Sequence, residues 1–253
     1  MEKNKEPKVK SLQKAIDVLN CFLDKPALGV TEISEKLGIH KSSVHNILST
    51  YLDMGYVEKD TETEKYSLGP GIYHLSSALG DRYSLDKLVQ PYIKELANKI
   101  KESVVVSIPV GQRIMYIGGE HPDIEGVYTR LTYIGNQNPM YCTSTGKAIL
   151  AFMPEKEREI CLDCELVRKT EFTITSREEL EKDLERTRQR GYATDHMEFQ
   201  LGLSCIAAPL FNAHGRLLGA ITVTGDSEKI EGEKASYYAQ ELSKCAAYIS
   251  TKL

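Results

Sequence analysis

The residues best suited to chemistry fall into three groups. Between Lys41 and Thr50, the side chains of Ser42, Ser43, His45, Asn46, Ser49 and Thr50 share one side of a helical repeat. Val44, Ile47, Leu48, Tyr51 and Leu52 share the other. The polar side carries no acid, so its hydroxyls, amide and imidazole can donate to phosphates and base edges in a DNA major groove. Lys41 suits phosphate or guanine, and Asn46 can pair bidentately with adenine. The second group is Ser144 and Thr145, which open an expected helix where free backbone N–H groups and the positive dipole end favour an anion such as a carboxylate. Plain N-capping is the competing use of the same residues. The third group is made of thiols. Cys142 or Cys205 with His196 and Asp195 would make a nucleophile, a base and an orienting acid. Cys161-x2-Cys164 with Cys142 or Cys205 would make a zinc site. No nucleophile motif frames either cysteine, and no second Cys pair or His pair accompanies the first. The thiols therefore read as small buried hydrophobes, with Cys161 and Cys164 on one helix face. No enzyme activity, metal or cofactor is expected.

The polar face at 41–50 needs a scaffold. Leu12, Ala15, Ile16, Leu19, Phe22 and Leu23 recur at helical spacing and predict an amphipathic helix over 10–23. Thr31 reads as the N-cap of a short second helix, and Gly38 suits the left-handed residue that closes it. The polar-faced helix follows after a three-residue turn, and Gly55 stops it. Tyr56–Lys59 and Lys65–Leu68 then read as a hairpin, with Lys59 and Lys65 placed for phosphates. Three helices and a hairpin in this order form a winged helix-turn-helix, whose third helix lies in the major groove.

Gly69-Pro70-Gly71 breaks the chain, and 72–79 reads as a helical link. Beyond it, Ser84 can cap a helix running to about Lys101, with Pro91 tolerable in an early turn. Val104–Val110 and Arg113–Ile117 read as a hairpin about Gly111-Gln112. Further strands are expected at Val127–Arg130, Cys205–Phe211 and Leu217–Thr224, with helices at Ser144–Phe152, Glu155–Cys164, Arg177–Arg190 and Gly232–Leu253. This mixed order predicts an α+β domain with a largely antiparallel sheet flanked by helices. The expected division is 1–69, a linker at 70–83, and 84–253.

The 253 residues carry a net charge of −4, and 41% are hydrophobic. The first 78 residues hold ten Lys, no Arg and eleven Asp or Glu, so nucleic-acid binding must rest on a local face rather than bulk charge. A winged helix that docks a protein instead is the alternative this balance favours. Six cysteines spread over a chain of this size fit reduced thiols and a cytoplasmic protein, and no apolar run reaches a membrane span.

The chain resembles IclR-type transcriptional regulators. The likeness rests on Val9–Ala15, Thr31–Ile33, Leu37–His45, Gly55–Val57 and Tyr66–Gly69. In the second half it rests on Thr143–Phe152, Arg168–Thr170, Thr173–Thr175, Gly191–Ala193 with Asp195 and Glu198, Cys205–Pro209 and Thr222–Gly225. Asn46 stands where such regulators usually carry arginine, His40 where proline is frequent, and Tyr141 where histidine is common. The resemblance implies a GAF-like C-terminal domain that binds a small organic acid or aromatic compound, and dimers that can pair into tetramers. Asp195, Cys205, Thr222 and Thr224 align with pocket-lining positions of the family, and alternation puts both threonines on one strand face. Threonine in place of the usual serine implies a tighter, more apolar pocket. The expected protein is an effector-responsive repressor on a pseudo-palindromic operator.

Overall fold

The computed structural model describes residues 8–77, 85–122 and 134–253. The expected strand at Val127–Arg130 and the Ser84 cap lie outside these residues. The chain divides into two compact units between Arg82 and Tyr83.

The first unit runs α1 (Lys10–Asn20), a tight helical turn at Cys21–Leu23, α2 (Val30–Leu37), α3 (Lys41–Asp53), β1 (Val57–Lys59), β2 (Tyr66–Leu68) and α4 (Pro70–Ser77). Val18, Phe22, Ile33, Val44, Leu48 and Val57 close over one another as its core. Burying side chains of this size stabilises by about 1.5–3 kcal/mol each. Thr31 does not cap α2, as sequence suggested. Gly29 holds the cap position, its N–H donating to the Glu32 carboxylate at 2.8 Å. Gly38, at φ 63°, makes the left-handed turn that swings the chain from α2 into α3. β1 and β2 pair antiparallel, and Leu28 and Tyr66 exchange backbone bonds at 2.9 Å, tying the hairpin to the segment before α2.

The second unit begins with α5 (Leu85–Ile100), followed by β3 (Ser103–Val110), β4 (Arg113–Glu120) and β5 (Gln137–Pro139). Then come α6 (Ser144–Phe152), α7 (Glu155–Leu162), α8 (Arg177–Arg190), β6 (Ala193–His196), β7 (Leu203–Phe211), β8 (Leu217–Asp226), the short α9 (Ser227–Ile230) and α10 (Ala235–Ser250). The six strands form one sheet in the order β5-β4-β3-β8-β7-β6, every pairing antiparallel. Strand alternation divides the core. Val104, Val106, Ile206, Ile221 and Val223 pack with α5 and α10, whereas Val105, Ala207 and Ala220 join the cluster containing α6 and α8.

Several expectations shift. Pro91 sits inside α5, beyond its first turn. α7 ends at Leu162, so Cys164 lies past the helix and not on one of its faces. β5, β6 and α9 are elements that the sequence pattern does not announce. No described helix is long and apolar enough to cross a membrane.

Candidate functional site

The first candidate surface is α3. Val44, Leu48 and Tyr51 are buried, whereas Lys41, Ser42, His45, Asn46, Ser49 and Thr50 are exposed and Ser43 is half-buried. The apolar stripe docks the helix and leaves the acid-free polar face turned outward. Thr50 Oγ1 donates to the Asn46 carbonyl at 3.0 Å, within the helix. His45 shares a groove with Thr31, Lys59, Lys65 and Tyr66, so α3 and the hairpin border one cleft. The two hairpin lysines do not stand alone. Lys59 pairs with Glu64, which holds its ammonium pKa up, and Lys65 lies 3.4 Å from Glu32.

The second candidate lies between the sheet and α6. Register places Asp195 opposite Cys205, Cys205 opposite Thr224, and Thr222 opposite Val105. Asp195, Cys205 and Thr224 therefore form one row across three strands. Their side chains, with Thr222 two residues before Thr224, line a small cavity facing the first turn of α6. Ser144 and Thr145 complete that wall, so all six expected effector residues meet in one place. Val105, Tyr116, Asn138, Thr143, Phe199 and Leu203, which sequence reasoning did not single out, also line it. Asn138 sits on a strand too short to show a period, so no pattern pointed to it. The cavity is small, about 20 Å³, room for a water molecule or so.

Helix α6 comes unusually close to its approach segment. A Cβ on Gly146 would lie 2.2 Å from the Met140 backbone. Thr143, not Ser144 or Thr145, is the N-cap: its Oγ1 accepts from the Gly146 N–H at 3.2 Å. Thr145 and Thr222 share a hydrogen bond, Oγ1 to Oγ1, at 2.7 Å. The Cys205 thiol donates to Thr224 Oγ1 at 3.1 Å, and burial pushes its pKa up, so it stays a thiol. Ser144 Oγ is buried near Cys205 without a hydrogen bond of ordinary geometry. Tyr116, whose pKa burial also raises, accepts from Asn138 Nδ2 at 3.2 Å.

Beneath the cavity lies a buried ion cluster. Lys147 Nζ is 2.8 Å from Asp183 and 2.5 Å from Glu198. Desolvation disfavours its charge, but Glu198, Asp183 and Asp195 outweigh that and hold its pKa up. Asp195 Oδ1 accepts the Glu198 N–H at 2.8 Å. Burial, then the Glu198 charge, push the Asp195 carboxyl up to about 7. A lone lysine before the apolar run Ala148–Ala151 was the sequence signal for this cluster.

The rival arrangements do not form. His196 lies on the opposite face of β6 from Asp195 and contacts Glu231 through Nδ1 at 2.5 Å rather than a thiol. Burial pushes the Cys142 thiol up to about 12, away from the thiolate a nucleophile needs. Cys161 Sγ bonds the Gly111 carbonyl at 3.3 Å, and no group of three or more metal-type ligands converges among the described residues. A wider groove past Arg113, Tyr141 and Lys169 is open, and its buried Tyr141 hydroxyl already donates to the Val167 carbonyl at 2.7 Å.

A winged helix-turn-helix joined to a sheet domain with an enclosed polar cavity defines a ligand-responsive class of transcriptional regulator. Residues 11–61 match the IclR helix-turn-helix domain, and residues 78–251 match the bacterial transcriptional regulator IclR C-terminal family. The chain belongs to the IclR family. It is 31% identical to the regulator KdgR of Escherichia coli over 99% of this chain and 95% of that one. It is 29% identical to KipR of Bacillus subtilis over 97% and 98%. The Thermotoga maritima IclR structure superposes with a TM-score of 0.79 at 28% identity, covering 96% of this chain and 98% of that one. An IclR homologue from Microbacterium hydrocarbonoxydans, complexed with 4-hydroxybenzoate, shares the fold at a TM-score of 0.80 and 19% identity, over 96% and 98%. These relatives are transcriptional regulators and not enzymes.

Proposed function

We propose that this regulator is a cytoplasmic repressor that grips a pseudo-palindromic operator as a dimer or dimer of dimers, and that a small carboxylate-bearing metabolite in the α6 cavity alters that grip. The reading module is 1–69, the connector 70–83, and the sensing and self-associating part 84–253. The observation that carries the reading is the exposed acid-free face of α3, with Lys41, Ser42, Ser43, His45, Asn46, Ser49 and Thr50 as its DNA contacts and Lys59 and Lys65 on the wing. Ser144, Thr145, Asp195, Cys205, Thr222 and Thr224 are the effector contacts.

Self-association has support in α1. Leu12 and Ile16 are exposed at 60% and 44%, Val9 just before the helix and Leu23 in the turn after it at 54% and 59%, and with the partly buried Leu19 they repeat at alternating intervals of three and four. That is the seam of a helix pair, and a two-fold pair of reading heads matches a palindromic operator. A gel-shift titration with DNA flanking its own gene tests the proposal. Affinity should fall steeply with salt, and Asn46→Ala should relax preference for adenine at one operator position by about 1–3 kcal/mol. Salt-insensitive or absent binding would favour a protein-docking winged helix.

A further inference from the structure

The Cys161-x2-Cys164 pair, singled out by its spacing, takes no part in the DNA-facing helix or the α6 cavity. Both residues are thiols, and they sit in unlike surroundings. Cys161 is buried in the last turn of α7, where its Sγ donates to the Gly111 carbonyl at 3.3 Å and lies 3.7 Å from Met153 Sδ. Burial, then the charges of Glu157 and Cys164, push this thiol up. Cys164 is half-buried and lines an open groove of about 740 Å³. Asp163 between them leaves helical backbone at φ −76° and ψ 58°, an inverse γ conformation, so Cys164 starts a loop and is not fixed in a helical turn. One thiol is within reach of a reagent, and the other stands behind it.

The groove beside Cys164 carries charge of both signs. Arg113 and Lys169 line it, and neither has a carboxylate partner among the described residues; the Arg113 guanidinium donates only to the Gln137 carbonyl, at 2.8 Å. Asp163 and Glu165 border the same groove, and Tyr141 and Leu162 add apolar surface. Such a lining suits a molecule that is itself a zwitterion, with carboxylates toward the two cations and an ammonium toward the two acids. The thiol in the wall narrows the choice to zwitterions whose sulfur a thiolate can attack. Amino-acid disulfides such as cystine and glutathione disulfide have all three groups.

We infer that Cys161 and Cys164 form a thiol–disulfide exchange site for low-molecular-weight disulfides of amino-acid type. Cys164 loses its proton to water, and its thiolate attacks one sulfur of the incoming disulfide. That S–S bond breaks, a mixed disulfide forms on Cys164, and the expelled thiolate takes a proton from water. Cys161 then gives its proton to solvent, lets go of Gly111 and attacks Cys164 Sγ, expelling the second thiol. Two electrons pass from the cysteine pair to the reagent, which leaves as two thiols, and the chain keeps an internal disulfide. The turn at Gly111-Gln112 meets this change directly, because Gln112 Nε2 donates to the carbonyls of Ile160 at 3.1 Å and Asp163 at 2.9 Å, on either side of Cys161.

The test incubates the reduced full-length protein with glutathione disulfide, blocks the remaining thiols by alkylation, and maps the digest by mass spectrometry. The peptide that holds Cys161 and Cys164 should lose two hydrogens. Cys161→Ser should stop at the mixed disulfide, with one glutathione on Cys164, and Cys164→Ser should leave Cys161 as a thiol. Arg113→Gln and Lys169→Gln should each slow the reaction about threefold, the scale of one exposed ion pair, and leave the rate with the neutral bis(hydroxyethyl) disulfide unchanged. Both of these side chains are exposed, so the wild-type map and the two rates decide the matter even if a cysteine variant fails to fold. No modification of the pair, reaction confined to the other cysteines, a mixed disulfide that persists in the wild type, or equal slowing with both reagents overturns the inference.

Discussion

The hydroxyls of Thr145 and Thr222 meet at 2.7 Å, one on the first turn of α6 and the other on the central strand β8. Both side chains are buried, so each satisfies the other, and together they pin the helix to the sheet across the cavity. Thr222→Val keeps the shape and leaves the Thr145 hydroxyl unpaired, at a cost of about 1–3 kcal/mol. Thr222→Ser keeps the bond and removes one methyl, costing about 0.8 kcal/mol. Urea unfolding should rank wild type, Ser, then Val, and equal midpoints for the two variants would show that the bond contributes nothing.

Asp195 makes stability depend on pH with an unusual sign. Its folded carboxyl titrates near 7 instead of the ordinary 3.8. The folded state therefore holds a proton that the unfolded chain has released, and stability falls as pH rises from about 4 to 7, then levels. Replacing the side chain by Asn removes this slope. Between pH 5 and 8 the stability difference should move in favour of Asp195→Asn by on the order of 2–4 kcal/mol, read from denaturant midpoints. A constant difference would mean that Asp195 titrates like an exposed carboxyl.

On α1, Ile16→Glu places a charge in the exposed three-four stripe without touching the core around Val18. Sedimentation should show a weaker dimer, and operator affinity should drop because the two reading heads are no longer held as a pair. An unchanged sedimentation profile would place the self-association surface elsewhere.

In the wing, Glu64→Gln frees Lys59 from its ion pair. Operator affinity should rise at low salt, and the slope of log affinity against log salt should steepen by about one. No change in slope would remove Lys59 from the set of phosphate contacts.

Much of this architecture was readable from the chain because its patterns are local. The α3 stripe, the Gly38 turn, and the β-branched runs of β3, β7 and β8 each announce their element within a few residues. Alternation also put Thr222 and Thr224 on one face, and the sheet register then brought Asp195 and Cys205 beside them. What escaped depends on distance along the chain or on very short segments. Glu32 meets Lys65 across 33 positions, and Lys147 meets Glu198 across 51. β5 and β6 have three and four residues, too few to show a period. The helix at Ser144–Phe152 was legible, but its cap is Thr143, one residue before the hydroxyl pair that the pattern singled out.

The chamber under α6 has room for about a water molecule, and on the proposed effector reading that size bears on the threshold of the response. On that reading, a larger metabolite binds only those molecules in which the chamber is wide enough to admit it. Its apparent affinity is reduced by that fraction. A sensor of this kind ignores trace amounts and answers only to abundance. Mutations that loosen the chamber should lower the concentration at which the gene responds before they change which compound triggers it.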